Sequence, residues 1–178
     1  MNISYNWLKN YLNFDLSAED TAKKLTSLGL EVGTVEEIQT IKGGLEGLVT
    51  AKVVECEDHP NSDHLHITKV DAGNGELIQV VCGAANCRAG LTTILATVGT
   101  TLYSGDESFS IKKSKIRGYE SCGMVCSLQE LGIEKKYVEE KYANGIYYFE
   151  DKVEVGQNGA EALNLHDPVI ELGLTPNR

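Results

Sequence analysis

Residues 65–84 read LHITKVDAGNGELIQVVCGA, two β-rich runs on either side of Asn74-Gly75. That dipeptide predicts a hairpin, because both central residues of a type I′ turn need positive φ. Working outward, LVTAKVVEC (48–56) alternates apolar and polar positions until its register slips between Val53 and Val54, which predicts a β-bulge or a coiled strand. Downstream, TTILATVGTTL (92–102) reads as a fourth strand, SFSIKKSKIRG (108–118) as a fifth, and SLQELGI (127–133) as a short helical turn. Five glycine-punctuated strands at near-regular spacing predict a small closed barrel.

The flanks read differently. A short helix is expected over Asn2–Phe14 with Ser4 as its cap, and Trp7 and Tyr11 as packing residues. Ser17 starts a second helix whose apolar face is Ala18, Ala22, Leu25 and Leu28, and Gly29 follows as a left-handed terminal residue. LEVGTVEEI (30–38) looks extended, and Gly43-Gly44 marks a break. After Tyr142, NGIYYFEDKVEVG (144–156) and DPVIELGL (167–174) read as strands around a short helix from about Gly159. Neither flank alone can bury enough core, since chains below roughly 40 residues seldom do. A barrel inserted into a split α+β domain follows, with boundaries expected at 1–40, 41–150 and 151–178. Thr175, Pro176 and Asn177 carry a helix-start signal with no helix after it, so a longer parent protein is expected.

Composition narrows the function. Five irregularly spaced cysteines indicate reduced thiols rather than a disulfide framework, and a cytoplasmic protein. No stretch has the length of apolar sequence that spans a bilayer, so no membrane partner is expected. The net charge of −10 argues against a general nucleic-acid binder, whose affinity comes from cations on phosphates. Residues 48–132 hold 7 basic and 10 acidic side chains, a net of −3, and within them Lys112, Lys113, Lys115 and Arg117 crowd together.

Three motifs carry a resemblance: HPNSDHLHITKVDAG (59–73), VVCGAANC (80–87) and KIRGYESCGMVCSLQELGI (115–133). In this order they resemble the tRNA-binding OB-fold module of the endothelial-monocyte-activating-polypeptide type, over about residues 45–148. The flanks, MNISYNWLKNYLNFDLSAEDTAKKLTSLGLEV (1–32) and DPVIELGLTPNR (167–178), resemble the beta subunit of bacterial phenylalanyl-tRNA synthetase. The resemblance implies a five-stranded OB-fold barrel inserted into a split α+β domain. It also implies tRNA and a synthetase alpha subunit as partners, in an α2β2 heterotetramer. ATP and magnesium would serve the full enzyme, while this portion would have no cofactor and no catalysis of its own.

Within that reading, Asn61, Ser62, Asp63 and His64 form a ligand-facing loop between the first two strands. The first three are turn formers that fix its shape. The family usually has lysine at the position of His64 and often proline at that of Ala85. Lys112, Lys113, Lys115 and Arg117 serve either as a phosphate-facing rim or as a solvated strand edge that discourages pairing. Ser127 joins the RNA-binding candidates through the third motif, although a local cap is its simpler role, and Met124 reads as core. A zinc site at His59, His64 and His66 lacks an evident third ligand beyond two strand-spaced histidines. Cys82 beside Gly83 reads as a small buried residue ending a strand, with no base in sequence to make it a nucleophile. The alternatives are a stand-alone tRNA-binding module and a small metal- or thiol-dependent hydrolase.

Overall fold

The computed structural model describes residues 1–39, 41, 43, 45–104 and 107–174; Gly44 and the start signal at 175–177 lie outside them. The chain forms two compact units, Met1–Thr40 with Asn164–Arg178, and Ile41–Leu163.

The first unit begins with β1 (Asn2–Ser4), α1 (Tyr5–Lys9), α2 (Ala18–Ser27) and β2 (Glu31–Gln39). Ser4 Oγ accepts from Trp7 N at 2.9 Å, and Ser17 Oγ from Asp20 N at 3.1 Å, so both caps sit where the sequence places them. Gly29 has φ +89°, and Leu30 N donates to Leu25 O at 3.0 Å, closing α2 with a left-handed terminus. The first helix is shorter than expected, because Asn2–Ser4 pair antiparallel with the last strand instead. Trp7 and Tyr11 are not core residues: they are 53% and 68% exposed, and their rings lie on each other with centroids 4.6 Å apart.

The second unit contains β3 (Leu48–Asp58), β4 (His66–Asp71), β5 (Leu77–Cys82), β6 (Thr92–Thr97), β7 (Thr101–Ser104), β8 (Glu107–Ser110), β9 (Ser114–Ile116), β10 (Tyr119–Ser121), β11 (Gly123–Val125) and α3 (Gly159–Ala162). Five strands make a nearly closed antiparallel barrel, an OB-fold, in the order β11-β6-β3-β4-β5. Closure comes from Cys122 N donating to Gln79 O at 2.9 Å and Val81 N donating to Ser121 Oγ at 3.1 Å. Inside lie Ala51, Val70, Val80, Leu95 and Val125, with Cys82, Cys87, Leu91 and Ile146. Burying a Val or Leu side chain contributes about 1.5–3 kcal/mol each. The bulge occurs at Val54: β3 pairs Val53 with Val70 and Glu55 with Lys69, so one residue is left over.

Two strand assignments change. The run 92–102 breaks at Gly99, where φ is +98° and the N–H donates to Ile111 O at 2.8 Å. The fifth barrel strand is β11 rather than 108–118. Val125 and Leu95, paired across β11 and β6, are buried apolar residues, whereas Lys112, Lys113 and Lys115 are exposed. A barrel wall takes the former, and the lysines stay in solvent. Residues 107–116 instead pair locally, β8 with β7 and β9 with β10.

The hairpin turn differs too. β4 and β5 pair down to Asp71 and Leu77, but Asn74 does not have positive φ; Gly73 and Gly75 do, at +82° and +83°. A five-residue loop results, held by Asp71 Oδ1 and Asn74 Oδ1 accepting from Gly73 N and Glu76 N. A Cβ on Gly73 would come within 2.9 Å of Gly156 Cα, so this loop packs directly on backbone. The type I′ geometry appears at Arg117-Gly118, with φ +46° and +97°, between the paired residues Ile116 and Tyr119.

Residues 144–156 follow the barrel as an extended segment more than as strands, with a single bridge between Thr93 and Tyr148. Thr50 Oγ1, fully buried, donates to Glu154 O at 2.7 Å and accepts from Gln157 N at 2.9 Å. These bonds keep 151–163 with the barrel, so the division expected near residue 150 falls after Leu163. The chain returns as β12 (His166–Gly173), which lies between β1 and β2 in a three-stranded antiparallel sheet. Ile170 and Leu172 pack there on Ala22, with Ile3, Leu25, Leu30, Val32 and Val35 around them.

Candidate nucleic-acid interface

Between β3 and β4 the chain turns through residues 59–65, and its anchor is His59, only 2% exposed. His59 N donates to Leu65 O at 2.9 Å, and His59 O accepts from Ser62 N at 3.0 Å. Its Nδ1 accepts from Asn61 N at 3.0 Å. A backbone N–H can only donate, so Nδ1 is the bare nitrogen and the ring proton belongs on Nε2. Nε2 faces Ile116 O at 3.4 Å, a long contact, and the ring meets Tyr119 edge-on with centroids 4.9 Å apart. Both ring nitrogens thus have backbone partners. His66 Nδ1 lies 3.2 Å from Asp58 Oδ1, while His64 is exposed. Among the described residues no group of three or more His, Cys, Asp and Glu side chains could hold a metal ion.

Asn61, Asp63 and His64 face solvent at the loop's crest. Ser62 Oγ is buried with no hydrogen-bond partner among the described residues. Across from them, Arg117 Nη1 donates to Asn61 O at 2.7 Å. The structure therefore gives Arg117 a structural bond that the sequence reading did not foresee: one arm of its guanidinium joins the β9–β10 turn to the 59–65 loop. Lys113 Nζ pairs with Glu120 Oε2 at 3.0 Å, and that carboxylate raises the ammonium pKa. Lys112 and Lys115 are exposed, without a hydrogen-bond or ion-pair partner among the described residues.

Ser127 opens the helical turn 127–133. Its Oγ accepts from Glu130 N at 3.2 Å, while Glu130 Oε2 accepts from Ser127 N at 2.7 Å and from Ser127 Oγ at 2.8 Å. This is a reciprocal capping arrangement at the helical turn 127–133. Both residues line a groove of about 720 Å³ on the barrel, together with Leu65, Phe109, Lys112 and Met124. Met124 is half-buried there rather than fully in the core. One wall of the groove is held by Asn86, whose Nδ2 donates to Ile146 O at 2.9 Å and whose Oδ1 accepts from Ile146 N at 3.0 Å. The sequence reading missed Asn86 and the part played by His59, because each acts on a distant stretch of backbone that no local pattern indicates.

Cys82 also reaches the groove, but both it and Cys87 are nearly buried, at 5% and 6% exposure. The hydrogen bond they share lowers the Cys82 pKa and, together with burial, pushes the Cys87 thiol up. Burial pushes the Cys126 thiol up as well. All five cysteines are free thiols. Among the described residues no imidazole is bonded to Cys82.

Residues 48–158 match a family described as "Putative tRNA binding domain". Over its whole length the chain is 55% identical to a phenylalanine–tRNA ligase beta subunit of Bacteroides thetaiotaomicron, covering 21% of that protein. It is 52% identical to the corresponding subunit of Porphyromonas gingivalis and 48% to that of Halalkalibacterium halodurans, in each case along the whole chain and 21% of the relative. It thus spans about a fifth of the length of the curated relatives it matches. An OB-fold barrel bearing this loop and hairpin, matched from Leu48 to Asn158, places the chain in the tRNA-binding domain family, homologous to the N-terminal part of phenylalanine–tRNA ligase beta subunits.

Proposed function

We propose that this chain is the tRNA-facing and structural portion of a phenylalanine–tRNA ligase beta subunit. It contributes to charging of the tRNA without performing the chemistry. The supporting observation is the pair of unpartnered cations, Lys112 and Lys115, beside a loop that Arg117 holds in place. Contacts with phosphate from such a rim orient an RNA without reading its bases. In this reading the rest of the subunit, an alpha subunit and an α2β2 assembly complete the enzyme in the cytoplasm. In the same reading ATP and magnesium serve the rest of the enzyme.

Lysine acetylation in the presence of tRNA tests this reading. At low salt, saturating tRNA should shield Lys112 and Lys115, while Lys135 and Lys136 on the 134–142 segment remain reactive. Shielding confined to other lysines, or none at all, would contradict it.

A further inference from the structure

We propose that His59 is a positioning residue for tRNA binding, acting through Arg117 rather than touching RNA. This inference rests on the functional reading above and adds a residue to it. His59 stands at the centre of the loop's bonding: its backbone N–H and C=O close the turn, and Nδ1 fixes the Asn61 peptide. The other face of that residue, the Asn61 carbonyl, accepts the Arg117 guanidinium at 2.7 Å. The opposite edge of the imidazole reaches the hairpin itself, through Ile116 O and Tyr119. The Arg117 side chain thus takes its direction from a carbonyl in the Asn61–Ser62 peptide, whose N–H donates to His59 O, while the imidazole holds the adjoining Pro60–Asn61 peptide. With one Nη held, the remaining guanidinium donors stay on the exposed rim beside Lys115, able to take a phosphate.

A neutral imidazole suits this task because it offers an acceptor at one nitrogen and a donor at the other. Alanine offers neither and leaves the Asn61 N–H without its partner. A buried histidine that merely filled space would destabilise the loop when removed, but its effect on RNA affinity would be independent of Arg117.

A double-mutant cycle on tRNA affinity, measured at low salt with the full 178-residue chain, separates these roles. His59→Ala and Arg117→Ala should each weaken binding by about fivefold, and the double variant by about the same factor, since both act through one guanidinium. Independent effects, multiplying to about 25-fold, would overturn the proposal. Should His59→Ala fail to fold, His59→Gln takes its place in the cycle; its amide still reaches toward Ile116 O but leaves the Asn61 N–H unmatched. Hydrogen exchange without RNA supplies the second readout. The Asn61 amide should be protected in the wild type and lose that protection in the His59 variant; unchanged exchange would overturn the positioning role. A wild type that binds no tRNA, with the exchange result as expected, would remove the functional reading and the RNA role of His59, leaving His59 only as the holder of the loop.

Discussion

In the 59–65 loop the anchoring polar groups turn inward, onto backbone atoms of the loop or of the facing hairpin. In the 112–117 segment, three of the four charges turn outward or pair only at the surface, and Arg117 alone does both. Shape is stored in the first region and charge in the second. A single 2.7 Å bond from Arg117 to Asn61 joins them. The difference shows what the proposed RNA-facing rim would require in a chain of net charge −10: affinity would have to come from a small number of cations held in register, since the overall field repels phosphate.

That contrast can be broken by substitution on either side. The largest effect on stability is expected at His59. Replacing it with alanine removes two ring contacts and leaves the part-buried Asn61 N–H without its partner, at a cost of about 1–3 kcal/mol in a urea denaturation curve. Ser127→Ala should cost about 1 kcal/mol, the usual worth of a cap, and leave tRNA affinity unchanged. A large loss of affinity without a change in stability would instead make Ser127 an RNA contact. Glu120→Gln should change stability by less than about 0.5 kcal/mol, because its ion pair with Lys113 is exposed. It should nevertheless free one more cation, making the slope of log affinity against log salt steeper by about 0.7. An unchanged slope would show that Lys113 does not face RNA.

Much of this fold was legible from residues. The alternation in 48–56 and 65–84 located the first three barrel strands, and the register slip at Val53-Val54 located the bulge. Ser4, Ser17 and Gly29 marked helix ends because capping is local chemistry. What failed was non-local. Asn74-Gly75 has the residue types of a type I′ turn, but packing of Gly73 against Gly156 sets a longer loop. Arg117-Gly118 takes the type I′ shape without the favoured asparagine, since pairing of Ile116 with Tyr119 and the bond to Asn61 hold it. The lysine-rich run looked like a barrel strand by propensity, yet Gly123–Val125 supplies the small and apolar residues that the wall requires. At the site, the cations were visible as a cluster, whereas the division of labour among them depends on partners, Glu120 for Lys113 and Asn61 for Arg117, that only the folded chain brings near.

The central claim is that Lys112 and Lys115 carry the RNA contact and the loop carries its geometry. A salt titration of tRNA binding by the wild type beside the Lys112→Ala/Lys115→Ala variant tests it most directly. With two free cations, and one more donor set on Arg117, the wild-type slope should lie at about −1.5 to −2.5. The double variant should lose about 1.4 of that slope and most of its low-salt affinity, while its denaturation midpoint stays unchanged. A double variant that binds with the wild-type slope and affinity would contradict the account and place the RNA surface elsewhere on the chain.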